Sequence, residues 1–302
     1  MINIKTNNDI DIFFENNLFY SFFLWKLINE VKRLVKINSF IKTHQLRKLS
    51  HLMVNDYKSS DTIFILGSGD SVNHLTQEQW EIIKTHDSLG INFWLIHEFV
   101  PTYYMFEPTK NIERMNVLLE LFALKKTQYQ QTPIILKNIE YGFLHFDQFP
   151  ASLLSNLYIP YKLNIPGSNS FTFKKSLQSI LFLNLNQINN LLLMKTASLS
   201  MAISFAFFSG YKKIIFCGVD LNNTKYFYEA EKYRHSEIPI PPKIQDNTIH
   251  NTLRSDYCDV TIDEVISIMN RYLLIPHGVR LYIGSKKSAL YPMLPDYFDI
   301  NY

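Results

Sequence analysis

Lys213-Ile214-Ile215-Phe216-Cys217 is a run of β-branched and aromatic residues that stops at Gly218-Val219-Asp220. Such a run fits a strand buried on both faces. A charge-free stretch rich in Ala and Ser, from Thr196 to Tyr211, precedes it. A second run, Thr62-Ile63-Phe64-Ile65-Leu66, stops at Gly67-Ser68-Gly69-Asp70-Ser71. Two buried-type strands that each end in small and polar residues predict an open α/β sheet. A ligand is expected at the carboxyl edge of such a sheet.

The rest of the chain alternates in the same way. Thr76 is placed to cap a helix, with Gln79 at the capping-box position and an end near Thr85. Strands are expected at Ser88–Asn92, Tyr103–Phe106, Thr132–Leu136 and Val279–Ile283, and helices at 111–125, 196–209 and Thr261–Leu274. Residues 138–170 are rich in turn formers and receive no assignment. Ser176 to Met194 is long and uncharged but carries several Asn and Gln. It reads as a core helix with a flanking loop. The expected fold is therefore a Rossmann-like, mostly parallel α/β sheet in residues 56–302. Its core falls in 56–220 and 256–295, and a long polar, proline-bearing stretch at 221–255 forms a lid.

Residues 1–55 read as a helical appendage. Phe13, Phe14, Leu18, Phe19, Phe22, Phe23, Leu24 and Trp25 form an aromatic and apolar cluster, and apolar residues recur near helical spacing up to Ile41. Between Lys26 and Lys48 stand seven basic residues (Lys26, Lys32, Arg33, Lys36, Lys42, Arg47, Lys48) against one acid, Glu30. Two readings stay open. The segment packs on the main domain as a helical pair, or it lies on an anionic membrane surface such as the inner membrane.

The net charge of the whole 302-residue chain is only +3, so no nucleic-acid partner is expected. A hydrophobic fraction of 47% supports a real core. The two cysteines, Cys217 and Cys258, lie far apart and form no CxxC, so neither a disulfide framework nor a structural zinc is implied. The apolar run Asn16 to Trp25 is too short to span a bilayer. With no secretory leader expected, a cytoplasmic protein fits best, peripheral on the inner membrane if the second reading of the N-terminus holds. Homo-oligomerisation is a further expectation.

The glycine turn at Gly67, Ser68 and Gly69 is neither GxGxxG nor a Walker A. It either admits a phosphate or ribose close to backbone N–H groups or is a plain strand-to-helix turn. Asn92 ends the next strand and offers a donor and an acceptor to a pyrimidine or ribose edge, or is a turn residue. Ser198 opens the Ala/Ser-rich helix, as an anion site or an ordinary cap. In the 221–255 loop Tyr226 and Tyr228 are candidates to bind a leaving phosphate. His250 is the candidate general base, with His235 as its understudy and Arg254 and Asp256 nearby. The DxD pattern Asp9-Ile10-Asp11 sits in the appendage, so neither a metal nor another cofactor is expected.

Taken in order, these residues resemble the bacterial lipooligosaccharide sialyltransferases of glycosyltransferase family 42. The likeness runs from about Asp61 to Pro295 with gaps in the middle. That family has a Gly-Asn-Gly-Pro-Ser turn, here Gly67-Ser68-Gly69-Asp70-Ser71, and a strand ending in Asn, here Asn92. Its Thr-Ser-Gly helix start, Gly-Tyr-Lys and Gly-Ile-Asp correspond to Ala197-Ser198-Leu199, Gly210-Tyr211-Lys212 and Gly218-Val219-Asp220. A family tyrosine matches Tyr228, the catalytic histidine matches His250, and the last strand and its serines match Leu281–Ser285 and Ser288.

The resemblance implies a GT-A-variant-like, metal-independent, inverting glycosyltransferase. It would move a nonulosonic acid from a CMP-sugar, as substrate, to a cell-surface glycan or glycolipid. His250 and Tyr228 would be catalytic. Gly67, Ser68, Gly69, Asn92, Ser198, Asp220, Asn222, Tyr226 and Ser285 would hold the donor. The chain departs from the pattern at Ser68 and at Glu107, where the family has asparagines, and at Asn222 and Asn247, where it has tyrosines. Two other classes stay open. The same glycine turn and Gly-Val-Asp occur in 6-hydroxymethylpterin diphosphokinase-like (MptE-like) enzymes, and a drifted site would suit a non-catalytic nucleotide or glycan binder.

Overall fold

The computed structural model describes residues 18–109, 111–139, 148–184, 191–243 and 249–300. Phe13, Phe14, the Asp9-Ile10-Asp11 pattern and Asn247 lie outside them. The chain forms an α/β fold around a central sheet of eight parallel strands. These are β1 (Arg47–Lys48), β2 (Thr62–Leu66), β3 (Asp87–Ile91), β4 (Tyr103–Phe106), β5 (Ile134–Leu136), β6 (Leu157–Ile159), β9 (Lys213–Cys217) and β10 (Arg280–Ile283). Two more, β7 (Tyr161–Asn164) and β8 (Leu191–Met194), form a separate parallel pair.

The order across the large sheet is β1-β6-β5-β4-β3-β2-β9-β10. From β2 the chain walks outward one way through β3, β4, β5 and β6. It then returns to lay β9 on the other side of β2, with β10 beyond. The strand order thus reverses between β2 and β9, which are paired from Thr62 with Lys213 to Leu66 with Cys217. A crevice at the carboxyl ends of the strands is expected at such a point.

Side chains of successive strand residues enter opposite cores. Ile63, Ile65, Ile214 and Phe216 belong to one apolar cluster. Phe64, Leu66, Ile215 and Cys217 belong to the other. The first is covered by α5 (Ser170–Phe182), α6 (Ser198–Phe208) and α8 (Ile262–Met269), through residues such as Phe173, Met201 and Val265. The second is covered by α2 (Gln77–Lys84) and α3 (Ile112–Lys125), through Ile83, Met115 and Phe122. The helices start where the sequence places their caps. Thr76 with Gln79, and Thr261 with Glu264, each form a reciprocal capping box.

Two stretches differ from expectation. Helix α5 stops at Phe182 within the run read as one core helix, and Leu191–Met194 is a strand buried beside β7. The unassigned residues 138–170 hold a short helix, α4 (Ala151–Leu154), and the strands β6 and β7 on either side of Pro160.

Among the described residues of the N-terminal region stands the helix α1 (Phe19–Thr43), of 25 residues. Phe19 and Phe23 enter one core cluster and Ile37 and Ile41 the other, so α1 crosses from one side of the sheet to the other. It is followed at once by the edge strand β1, paired with β6. Among the described residues no helix is long and apolar enough to cross a membrane.

Candidate functional site

A cavity of about 420 Å³ opens at the carboxyl ends of β2, β3, β4, β8 and β9. Its wall includes Gly67, Ser68, Gly69, Asn92, Ser198, Asp220, Tyr226, Tyr228 and His250. Segments far apart in sequence therefore converge on one space. Asn222 and Ser285 do not line it. Asn222 Nδ2 donates to the Lys287 carbonyl at 2.6 Å, and Ser285 Oγ accepts from the Lys287 N–H at 3.2 Å. Both are tied to the loop after β10. Ser288 there donates from Oγ to the Val219 carbonyl at 2.6 Å and fixes the turn that follows β9.

The two glycine turns lock together. The N–H of Gly67 donates to the Cys217 carbonyl at 2.7 Å, and that of Gly69 to the Gly218 carbonyl at 2.8 Å. A β-carbon on Gly67 would stand 2.4 Å from the Gly218 carbonyl oxygen. These N–H groups are engaged inside the protein, so the expectation that they cradle a phosphate is replaced by a packing role. Asp220 secures the same junction. It accepts from the Ser71 N–H at 2.9 Å and from the Ser71 hydroxyl. Burial raises the Asp220 carboxyl above its ordinary range against the pull of these donors.

Polar atoms without partners mark what faces the space. Of the nine buried side-chain atoms among the described residues that lack a hydrogen-bond partner, Ser68 Oγ and Tyr228 OH are the two on the cavity wall, and Tyr228 OH has the Arg114 guanidinium beside it. Leaving such groups dry and unpaired costs about 1–3 kcal/mol each, so they signal a missing ligand or solvent partner. Tyr228 stacks on Tyr226, with ring centroids 5.1 Å apart. Burial raises both phenols, which keeps them protonated donors at neutral pH, although the nearby Arg114 charge opposes the rise. The Arg114 guanidinium lies 4.5 Å from the Phe93 ring centroid and also lines the cavity.

His250 sits before a short 3-10 turn, Asn251–Leu253, held by its N–H on the Leu221 carbonyl at 2.9 Å. Its Nδ1 lies 2.9 Å from Thr252 Oγ1 and 3.4 Å from the Thr252 N–H. Nδ1 accepts from the Thr252 N–H, and the short contact to Thr252 Oγ1 holds the same edge of the ring. Burial lowers the imidazole below its ordinary value, so the ring is neutral near pH 7.

Backbone strain gathers at the same place. Asn92, Thr196 and Leu221 all line the cavity with positive φ, at 56°, 63° and 65°. For residues with a β-carbon this conformation costs about 1–3 kcal/mol and clusters at functional sites. It is expected least of Thr and Leu.

The cavity floor carries a charge network that the sequence reading did not foresee. The fully buried Lys137 ammonium donates to Glu107 at 3.0 Å and to Ser198 Oγ. Asn138 Nδ2 donates to the same Glu107 oxygen at 2.6 Å, and Lys162 donates to Asn138 Oδ1 at 2.5 Å. Burial, the largest influence, would raise the Glu107 carboxyl, but the charge and hydrogen bond of Lys137, the Asn138 hydrogen bond and the Lys162 charge together hold it below its usual value. Because Ser198 accepts from Lys137, its own hydroxyl proton remains available to donate.

No protein-family model matches this chain, and no curated protein matches its sequence.

Proposed function

We propose that this protein is a metal-independent inverting glycosyltransferase that moves a nonulosonic acid from its CMP-activated form to a glycan acceptor. The observation that carries the reading is the convergence of a neutral, half-buried His250, the unpartnered Ser68 hydroxyl and the Tyr228 hydroxyl beside Arg114. All three meet on one cavity at the sheet's switch point. The order of these residues along the chain also agrees with the sialyltransferase pattern.

In this reading the nucleotide lies against Ser68, Asn92 and Ser198. His250 removes the proton from the acceptor hydroxyl as that oxygen attacks the anomeric carbon. The bond from that carbon to the phosphate oxygen breaks, its electron pair leaves with CMP, and the configuration inverts. The Tyr228 hydroxyl donates to the departing phosphate, meeting charge that grows in the transition state. The Tyr226 ring, stacked beside it, keeps the phenol in place.

Calorimetry with CMP, UMP, GMP and ATP tests the reading. A clear preference for CMP supports it. Binding of ATP without CMP overturns it in favour of a pterin diphosphokinase-like activity. Binding of CMP without donor hydrolysis or transfer reduces the protein to a nucleotide binder.

A further inference from the structure

We infer that the outer face of α1 docks on a bilayer surface containing anionic lipid, as a helix lying in the plane of the membrane. The helix has a second apolar face besides the one it gives to the core. Tyr20, Leu24, Ile28, Val31 and Val35 are 74%, 55%, 56%, 59% and 65% exposed. Their spacing of four, four, three and four residues sets them in one stripe along the helix. Trp25 lies beside the stripe and is 50% exposed. The core-facing set, Phe19, Phe23, Ile37 and Ile41, occupies the other side.

Charge around the stripe selects the occupant. The one acid of this region, Glu30, is bound to Arg33 and accepts from Asn164 at 3.1 Å. Arg33 in turn reaches the Lys162 carbonyl. This pair therefore points back toward β7. Lys32, Lys36, Lys42 and Arg47 are left exposed on and beside the outer face. An apolar stripe bordered by cations, with its acid turned inward, complements anionic headgroups above acyl chains. A second copy of the same face would set lysines against lysines. On α5 Phe171 is a further exposed aromatic, at 62%. There the Lys175 ammonium bridges the rings of Phe171 and Phe19, 4.4 and 5.6 Å from their centroids.

The inference is independent of what fills the cavity. It is tested by flotation of the full chain with phosphatidylcholine vesicles and with mixed phosphatidylcholine–phosphatidylglycerol vesicles. Trp25 fluorescence is followed in parallel, with Trp25→Phe as the spectral control. Binding is expected only to the mixed vesicles, with a blue shift that the control lacks. It should weaken as salt shortens the Debye length from about 8 Å to about 3 Å.

Lys32→Glu with Lys36→Glu should weaken binding about 25-fold or more, from roughly fivefold per lysine lost. Leu24→Ser with Ile28→Ser and Val31→Ser should weaken it at least about tenfold while circular dichroism stays unchanged. Equal binding to both vesicle types, no binding at low salt, or full binding by the charge-reversed variant overturns the inference. Self-association that the triple serine variant abolishes, without vesicle binding, assigns the face to a second copy instead.

Discussion

Gly67→Ala probes the junction on which the cavity is built. The new β-carbon would sit 2.4 Å from the Gly218 oxygen, 3.1 Å from the Gly218 carbonyl carbon and 3.2 Å from Val219 Cγ2. The closest approach is on the order of 1 Å inside ordinary contact, and the obstacle is backbone, which has no rotamer to yield. Overpacking of this kind costs about 1–3 kcal/mol. Separating the turns also weakens the Gly67 and Gly69 hydrogen bonds to Cys217 and Gly218, at about 0.5–1.5 kcal/mol each. The sum is about 2–6 kcal/mol. Gly278→Ala is the control. There φ is +72° and no atom lies within 4 Å of the new carbon, so only the left-handed backbone is penalised, at about 1–2 kcal/mol. Urea unfolding of both variants reads the difference. A Gly67→Ala loss no larger than that of Gly278→Ala would refute the packing role. Retained stability with lost CMP affinity would show that the turn touches ligand after all.

His250→Ala should lower turnover by roughly 100-fold or more with little change in nucleotide affinity, measured by donor-dependent transfer and calorimetry side by side. Because burial lowers the imidazole from its ordinary 6.5, turnover should hold at neutral pH and fall only on the acid side of that value. An acid limb above it would contradict the burial argument. Tyr228→Phe removes a buried hydroxyl that has Arg114 beside it, so thermal stability should change by no more than about 1 kcal/mol while transfer drops by about tenfold or more. Lys137→Met should destabilise the fold by about 1–3 kcal/mol in urea, because Glu107 loses its ammonium partner but, at 39% side-chain exposure, keeps solvent and Asn138. His97 is packed between Trp80 and Trp94, and burial lowers it to about 4. The unfolded chain therefore binds its proton first as pH falls. Stability should be flat in this group above pH 6.5 and decline by about 3 kcal/mol between there and pH 4. His97→Phe should flatten that part of the profile.

The strands at 62–66 and 213–217 were legible to the residue. Each is a β-branched run closed by glycine, and a strand buried on both faces leaves no polar alternation to misread. The start of α2 was legible because Thr76 carries its capping partner Gln79 with it, and Thr261 with Glu264 forms the same box at α8. Leu191–Met194 was hidden because leucines favour helix, and the uncharged run before it holds no glycine or proline to break it. Arg47–Lys48 is a strand by position at the sheet edge, not by composition. Gly67 to Gly69, Asn92 and Asp220, singled out because they follow strands, line the cavity. Asn222 and Ser285 were misplaced because neighbours in sequence leave a turn in different directions. Lys137 looked like a surface lysine. Its signal was present all the same: Glu107 and Lys137 each come first after a strand, and Phe106 pairs with Leu136. Adjacent parallel strands thus deliver a carboxylate and an ammonium to the same spot.

The position of β9 between β2 and β10 also sets the order in which the molecule can be built. A growing chain can pair β2 with β3, and then β4 with β5, from residues close together in sequence. The other edge of β2 must wait for Lys213 to Cys217. Until then Ile63, Phe64 and Ile65 present an unpaired, apolar strand edge, and the wall bearing Gly67 to Gly69 has nothing to close against. Fragments that stop before residue 213 should therefore aggregate through β2. In the intact chain, the insertion of one late strand both seals that edge and creates the cavity, so no partly assembled form carries a working site.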